Sequence, residues 1–289
     1  MTRRLPPWLK VKLPSDSGDL KKVAKTLRDK GLTTVCTGAR CPNLAECWSC
    51  GTATVMILGN QCTRGCRFCA VDHGAAPPPP DSAEPQQVAA MARELQLSYV
   101  VITSVTRDDL PDQGASQFAA TVQAVRNSLS HTKVELLVPD FSGRTDLLDI
   151  VLDARPDVIG HNLETVRRLT PLVRDAKADF DRSLDVLKYL SQQGAVVKTA
   201  LLLGLGETRK EVVEAFTAAY HAGARHLAMG QYLAPSGAHT QVDRYWTPEE
   251  FAQLGKDAEA LGFHSVASAP LVRSSYQAHR FAGSDFGQV

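Results

Sequence analysis

Short apolar runs alternate with segments of helical periodicity along most of the chain. The runs are continuous, which predicts strands buried on both faces of a sheet. The predicted strands are Ala53–Leu58, Tyr99–Ile102, Val134–Val138, Val158–Gly160, Val196–Leu203 and Leu227–Leu233, with a last run near Phe263–Val266. The predicted helices are Asp19–Lys30, Glu84–Leu95, Ser116–Leu129, Asp181–Gln192, Lys210–His221 and Pro248–Leu261.

This alternation predicts an α/β fold with a parallel sheet. Six strand–helix units within 289 residues favour a partial (β/α)6 barrel of the TIM type. A flat doubly wound sheet is the alternative. We divide the chain into an N-terminal extension (1–51), the partial barrel (52–246) and a C-terminal extension (247–289).

Polar, charged or glycine-rich segments follow nearly every predicted strand. They are Cys62–Cys69, Thr103–Asp109, Asp140, His161–Thr165 and Gly204–Thr208. In parallel α/β folds the carboxyl ends of the strands carry the active site. We therefore expect these segments to converge on one face of the barrel.

Composition and charge narrow the possible functions. A formal net charge of +1 gives no electrostatic basis for binding nucleic acid or an anionic membrane. The chain has no apolar run long enough for a transmembrane helix, and its basic N-terminus has no apolar signal core behind it. A reducing cytoplasm is the expected location, where clustered thiols indicate metal or redox chemistry.

All seven cysteines lie between Cys36 and Cys69, and six of them form two triplets. The triplets are Cys36, Cys41 and Cys47 (C-x4-C-x5-C), and Cys62, Cys66 and Cys69 (C-x3-C-x2-C). An iron–sulfur cluster normally takes four ligands, so each triplet leaves one iron for another molecule.

Each triplet has an alternative interpretation. The second could hold zinc, with His73 as the fourth ligand, although its position after the first strand favours an iron–sulfur cluster. The first could be a scatter of buried structural cysteines, which its close spacing disfavours. Cys50 matches neither spacing and is assigned as structural.

Several motifs accompany the triplets. They are Cys41-Pro42-Asn43, Glu46-Cys47-Trp48, Gly51-Thr52-Ala53-Thr54, Cys62-Thr63-Arg64, Ile102–Val105, Arg107–Leu110, His161–Thr165, Gly204–Thr208, Gly230–Leu233 and Arg273-Ser274-Ser275-Tyr276. With these motifs the chain resembles the lipoyl synthase family of radical S-adenosylmethionine (SAM) enzymes, from about Val35 to Tyr276. It departs from the family at three places. Thr37-Gly38 stands where an acidic residue and Ala are usual, Thr199-Ala200 stands where Ser-Gly is usual, and a cysteine is unusual at Cys50.

The resemblance implies a sulfur-inserting transferase with two 4Fe–4S clusters and SAM as cofactors. Its reaction joins sulfur to carbons 6 and 8 of an octanoyl group on a lysine of a lipoyl carrier domain. The implied partners are 2-oxoacid dehydrogenase E2 subunits, the glycine cleavage H protein, a ferredoxin or flavodoxin as low-potential electron donor, and iron–sulfur assembly proteins.

The resemblance also implies roles for particular residues. The radical-generating cluster is bound by Cys62, Cys66 and Cys69, whose open iron takes SAM. The auxiliary cluster, which donates sulfur, is bound by Cys36, Cys41, Cys47 and Ser275. From the sequence alone, a helix cap is the better explanation of Ser275, and the resemblance reverses this preference. The expected SAM contacts are Thr103, Ser104, Asn162, Glu164, Lys198, Gly204, Gly206 and Glu207.

Other interpretations remain open at this point. Arg107-Asp108-Asp109 fits a solvated salt-bridge loop, and His161 fits a structural role. Another sulfur-inserting radical SAM enzyme of the biotin synthase type is the closest alternative function. A two-cluster electron carrier of the ferredoxin type is the non-enzyme alternative.

Overall fold

The centre of the fold is an eight-stranded, mostly parallel sheet. The computed structural model describes residues 5–10, 18–34, 43, 54–276 and 278. Their strands are β1 (Thr33–Thr34), β2 (Thr54–Ile57), β3 (Gln61–Cys62), β4 (Asp72–His73), β5 (Tyr99–Ser104), β6 (Lys133–Leu137), β7 (Val158–Gly160), β8 (Val197–Leu203), β9 (His226–Gln231) and β10 (Ser265–Ser268). The sheet order is β1-β2-β5-β6-β7-β8-β9-β10, while β3 pairs only with β4.

The strand order identifies a partial barrel. Within this sheet, only β1 and β2 are antiparallel to each other. From β2 to β10, each strand of the sheet lies beside the sheet strand that follows it along the chain. A doubly wound sheet would reverse this order at a switch point. Residues of β2, β5, β6, β8 and β9 line one cavity, so the sheet curls around it. Among the described residues, β1 and β10 remain as unpaired edges.

Helices cover the outside of this sheet. They are α1 (Gly18–Asp29), α2 (Glu84–Glu94), α3 (Ala115–Ser128), α4 (Thr145–Asp153), α5 (Thr170–Val173), α6 (Phe180–Gln192), α7 (Arg209–His221) and α8 (Pro248–Leu261). Helix α7 begins with a capping box between Thr208 and Glu211, which satisfies otherwise free N–H groups of its first turn. None of the helices in the described ranges combines the length and apolarity needed to cross a bilayer.

The predicted elements are confirmed within two residues at each end of the strands and one at each end of the helices. The alternation did not predict β1, β3, β4, α4 or α5. Strand β10 lies in the segment assigned to the C-terminal extension, yet it pairs in parallel with β9 and continues the sheet. The domain boundaries themselves stay predictions.

Candidate active site

The second cysteine triplet lies at the carboxyl end of β2, where parallel α/β folds place their chemistry. Cys62 ends β3, and Cys66 and Cys69 follow in the same loop. All three are free thiols. The first triplet and Cys50 lie outside the described residues.

Backbone N–H groups point at two of these sulfurs. The sulfur of Cys62 accepts hydrogen bonds from the backbone N–H of Arg64 at 3.4 Å and of Thr106 at 3.3 Å. The sulfur of Cys66 accepts one from the backbone N–H of Asp175 at 3.3 Å. Such donors stabilise thiolates and tune the potential of a cluster bound to them.

Burial opposes ionisation of the same thiols. It raises the pKa of Cys66, and it raises the pKa of Cys69 to about 12. Both groups are therefore protonated at neutral pH in the metal-free chain. Because thiolates are the metal ligands, metal binding here must release protons.

The arrangement of the thiols favours a cluster over zinc. A structural zinc ion gathers four ligands around one point. Among the described residues, no group of three or more His, Cys, Asp and Glu side chains is close enough to hold one ion. His73 is paired in register with Cys62 but completes no such group. In a 4Fe–4S cluster each thiolate binds a different iron, so the ligands need not surround one point.

A buried ion network holds the cysteine loop against the sheet. The Arg64 guanidinium makes bidentate hydrogen bonds to Asp108 at 2.9 and 3.0 Å and to Asp140 at 2.7 and 2.9 Å. The Arg64 and Asp140 side chains are only 5% and 0% exposed. Burial raises the pKa of Asp140, but the hydrogen bonds and charge of Arg64 outweigh it and lower the pKa to about 2. Arg64 thereby joins the cysteine loop to the ends of β5 and β6.

The neighbouring Arg107 is also buried rather than solvated. It is 1% exposed, and its guanidinium bonds Asp109 at 2.8 Å and the carbonyl oxygen of Leu58. The interpretation of Arg107-Asp108-Asp109 as a solvated salt-bridge loop is therefore wrong for Arg107, although the predicted salt bridge exists and its partner Asp109 is exposed. Both Arg107 and Asp108 connect the end of β5 to the segment that carries the thiols.

A cavity of about 200 Å³, here called the thiol cavity, opens beside the three cysteines. Its wall includes Thr103 and Ser104 from β5, and Asn162 and Glu164 after β7. Glu164 accepts a hydrogen bond from Asn162 at 3.0 Å, and burial raises the pKa of its carboxyl group. The four residues come from two parts of the sequence about 60 residues apart, so the barrel brings these expected SAM contacts together.

Several buried polar atoms in the wall of the thiol cavity have no partner among the described residues. They are Ser104 Oγ, His161 Nε2 and Arg174 Nε. Burying a polar group without a hydrogen bond costs about 1–3 kcal/mol, so such a group in a cavity indicates a bound polar molecule. The carboxyl group of Glu164 and the guanidinium of Arg174 suit the ammonium and carboxylate of an amino acid. These residues fit the methionine part of SAM.

Backbone strain occurs at the same place. Glu164 has a φ of 66°, the left-handed region that non-glycine residues rarely adopt. Strain of this kind costs about 1–3 kcal/mol and clusters at ligand sites. Glu164 forms an isolated parallel β-bridge with Leu201, and it lines the thiol cavity.

A second cavity of about 290 Å³, here called the apolar cavity, adjoins the first. The polar or thiol-bearing residues that the two share are Cys69, Thr103, Ser104, Asn162 and Glu164, and they also share Met56, Phe68, Val71 and Leu137. The wall of the apolar cavity is otherwise mainly apolar, with Met56, Phe68, Val71, Leu137, Ala200, Leu202, Ala228, Leu233 and Val272. It therefore suits an apolar chain presented to whatever occupies the thiol cavity.

Ser275 lies in the wall of the apolar cavity, far from the second triplet in sequence. Its Oγ accepts a hydrogen bond from Thr54 Oγ1 at 2.8 Å, so it is held at the first residue of β2. The buried Asn43, which lies between Cys41 and Cys47 in sequence, donates to the carbonyl oxygen of Leu271 at 2.5 Å. This contact places Asn43 next to the segment that carries Ser275.

Four of the residues expected to contact SAM line neither cavity: Lys198, Gly204, Gly206 and Glu207. Lys198 is the second residue of β8, at its amino end, and bonds Glu135 at 2.8 Å. Glu207 accepts hydrogen bonds from the backbone N–H of Gly204 and from the indole N–H of Trp246. These bonds stabilise the loop that contains Glu207. Gly204 has a φ of 106° and packs against Gln231.

Sequence reasoning missed Arg64 as a structural anchor and Arg174 as a cavity residue. The sequence signal for Arg64 was its position between two cluster cysteines, and that for Asp140 was its position three residues after β6. Arg174 had no such signal, because it follows the short helix α5 and enters the cavity through tertiary packing.

Comparison with known proteins is consistent with this geometry. The radical SAM superfamily matches residues 56–219, and the N-terminal domain of lipoyl synthase matches residues 1–41. The lipoyl synthase of Methanocella arvoryzae is 52% identical over 277 residues, covering 94% of this chain and 93% of its own. That of Myxococcus xanthus is 49% identical over 282 residues, covering 97% and 94%.

Solved structures share the fold at low sequence identity. The hydrogenase maturase HydG from Carboxydothermus hydrogenoformans superposes with a TM-score of 0.57 at 12% identity, over 73% of this chain and 57% of that one. Methylornithine synthase (PylB) gives 0.51 at 13% identity, over 73% and 69%. These likenesses support the fold alone.

Proposed function

Because the chain belongs to the lipoyl synthase family of radical SAM enzymes, we propose that it inserts sulfur at carbons 6 and 8 of an octanoyl group. The octanoyl group is carried on a lysine of a lipoyl carrier domain. The observation that carries this proposal is the pair of adjoining cavities, one bordered by three thiols and one apolar. They share a wall, so SAM held in the first would lie next to an acyl chain held in the second.

We assign the radical-generating 4Fe–4S cluster to Cys62, Cys66 and Cys69. Bound together, this cluster and SAM supply the electron transfer and radical chemistry that an unactivated C–H bond requires. The protein's own part is to hold and shield them. The N–H donors of Arg64, Thr106 and Asp175 stabilise the thiolates, and the Arg64 ion network positions the loop.

We assign SAM to the thiol cavity. Glu164 would hold its ammonium group and Arg174 its carboxylate, while Ser104 and Asn162 offer neutral hydrogen-bonding groups. Thr103 donates its own hydroxyl hydrogen to Leu137 at 2.9 Å, so only an oxygen lone pair is left for a ligand. The partnerless atoms in this cavity support the assignment.

We assign the octanoyl chain to the apolar cavity. Its apolar side chains exclude water from the reacting carbons, which protects a radical from side reactions. The cavity runs from the shared wall to Ser275. Carbons placed along it would lie between the radical source and the sulfur donor.

We further propose that Cys36, Cys41, Cys47 and Ser275 bind the auxiliary 4Fe–4S cluster, and that this cluster donates the sulfur. The contact between Asn43 and Leu271 supports it, because Asn43 lies between Cys41 and Cys47 in sequence and Leu271 lies four residues before Ser275. An oxygen ligand among softer thiolates is a plausible site of ligand exchange. This role replaces the helix-cap interpretation of Ser275.

The partners of this reaction follow from its chemistry. The substrates are octanoylated E2 subunits or the glycine cleavage H protein. Each SAM cleavage needs one electron from a low-potential donor such as ferredoxin or flavodoxin, so the two sulfur insertions need two. Iron–sulfur assembly proteins would rebuild the consumed cluster.

The test is an anaerobic assay. The chain is reconstituted with iron and sulfide, reduced, and given SAM with an octanoyl-lysyl peptide or, as a comparison substrate, dethiobiotin. We expect 5′-deoxyadenosine and sulfur-containing peptide products, and no product from dethiobiotin. Intact SAM after incubation would refute the proposal, and sulfur gained by dethiobiotin alone would support the biotin synthase type instead.

A further inference from the structure

Three buried apolar side chains that pack together form one part of the wall of the apolar cavity. Ala200 on β8, Ala228 on β9 and Val272 pack together and are all buried, at 6%, 1% and 5% exposed. Ala200 and Ala228 are also partners in register across the two strands. We call these three residues the cavity floor.

A charged layer lies directly beneath the floor. Side chains two residues apart on a strand face the same side, so Lys198 lies below Ala200 and His226 below Ala228. Lys198 Nζ contacts Glu135 Oε1 at 2.8 Å, and Tyr99 Oη donates to Glu135 Oε2 at 2.6 Å. None of these four side chains lines the apolar cavity.

This layer cannot yield to an apolar chain. The Lys198 and Glu135 side chains are 2% and 3% exposed. Separating such a buried pair leaves an uncompensated charge, which is strongly destabilising. Ala278 packs against Tyr99 and Val101 and closes the barrel further at this end. The depth of the apolar cavity is therefore set by the floor.

We infer that Ala200 and Ala228 determine the length of the acyl chain that the enzyme accepts. This inference rests on the proposed function. Ser275 lines the apolar cavity and lies between Val272 of the floor and Tyr276, which packs against the floor residues. The end of the acyl chain nearest the sulfur donor would therefore meet the floor. The methyl groups of Ala200 and Ala228 meet that end.

Substitutions in the floor should change the accepted chain length in opposite directions. Ala228→Val adds two carbons above Lys198 and His226 and should exclude about two methylenes of the substrate. Ala200→Gly removes one methyl group and should admit a slightly longer chain. Both substitutions keep an apolar surface, and valine is favourable in a strand.

The experiment measures dissociation constants of fluorescent peptides whose lysine carries a hexanoyl, octanoyl or nonanoyl group. The holoenzyme is used with SAM and without reductant, so binding is separated from turnover. We expect Ala228→Val to weaken octanoyl binding at least about 10-fold while hexanoyl binding is unchanged. We expect Ala200→Gly to strengthen nonanoyl binding about fourfold, the value of one buried methylene.

Ala252→Val, on the exposed face of α8, is the matched control and should leave all three constants unchanged. Equal weakening of every chain length by Ala228→Val, or an unchanged length preference in both floor variants, would overturn the inference. Failure of the proposed function differs from this, because the wild-type enzyme would then leave SAM intact with the octanoyl peptide under reduction.

Discussion

Asn43 donates a hydrogen bond from Nδ2 to the carbonyl oxygen of Leu271 at 2.5 Å, across 228 residues of sequence. Asn43 is 1% exposed and lies between Cys41 and Cys47 in sequence. Leu271 lies four residues before Ser275. The bond therefore joins the two parts of the chain that we assign to the auxiliary cluster.

Loss of this bond should loosen the auxiliary cluster alone. We expect Asn43→Ala to cost about 1–3 kcal/mol locally, because it leaves a buried carbonyl without its donor. Iron retained after a fixed exposure to chelator should fall from about eight per chain toward about four. The exposed Asn127→Ala is the control, and equal iron in the two variants would contradict the assignment.

The two triplets should separate in their effects on activity. Cys66→Ala removes a ligand of the radical-generating cluster and should abolish SAM cleavage. Cys41→Ala should retain SAM cleavage, measured as 5′-deoxyadenosine, and block sulfur insertion, measured by peptide mass. If Cys41→Ala loses both activities equally, the separate roles of the clusters are wrong.

The Arg64 network should contribute strongly to stability. Arg64→Lys keeps the charge but cannot make paired bonds to both Asp108 and Asp140, because an ammonium lacks the planar fork. We expect a loss of about 3 kcal/mol or more in the free energy of unfolding, from urea denaturation of the anaerobic protein.

Arg67→Lys is a matched control for this measurement, because Arg67 is exposed in the same loop. It should change the free energy of unfolding by no more than about 0.5 kcal/mol. Similar losses in the two variants would show that the network contributes little.

Stability should also fall on mild acidification because of His226. Burial, assisted by the charge of Lys198, lowers the pKa of His226 to about 4. Between pH 6.5 and 4 the unfolded chain then binds a proton that the folded chain does not, so stability is lost as the pH falls through this range. From pH 7 to pH 5 we expect a loss of about 1–2 kcal/mol from this group.

His226→Gln should reduce that loss, as measured by urea midpoints at the two pH values. The exposed His131→Gln is the control and should leave the pH dependence unchanged. A wild-type dependence that persists in His226→Gln would assign it to other groups.

Local patterns were sufficient for much of the fold. The fully buried run of β8 and the Thr247-Pro248 start of α8 are local signals, and both elements lie where the sequence predicts them. Helix α4 was missed although Leu147, Leu148 and Val151 have helical spacing, because the helix is short. Strands β3 and β4 have two residues each and depend on the loop around them.

The site was less predictable, because it depends on which way side chains point across the barrel. Asn162 and Glu164 follow a strand and line the thiol cavity. Lys198 lies on a strand too, but at its amino end, where Glu135 pairs with it. Arg174 reaches the cavity from beyond α5, and no pattern along the chain relates it to the cysteines.

The Arg64 ion network bears on how the cluster assigned to Cys62, Cys66 and Cys69 is acquired. Small zinc domains fold only as the metal binds, so binding must supply the ordering entropy of the chain. Here Arg64 secures the cysteine loop to Asp108 and Asp140, residues of the barrel itself, through contacts that involve no metal ligand. The apoprotein thus offers a preorganised receptor, and maturation becomes a docking and proton-release event on an already folded scaffold.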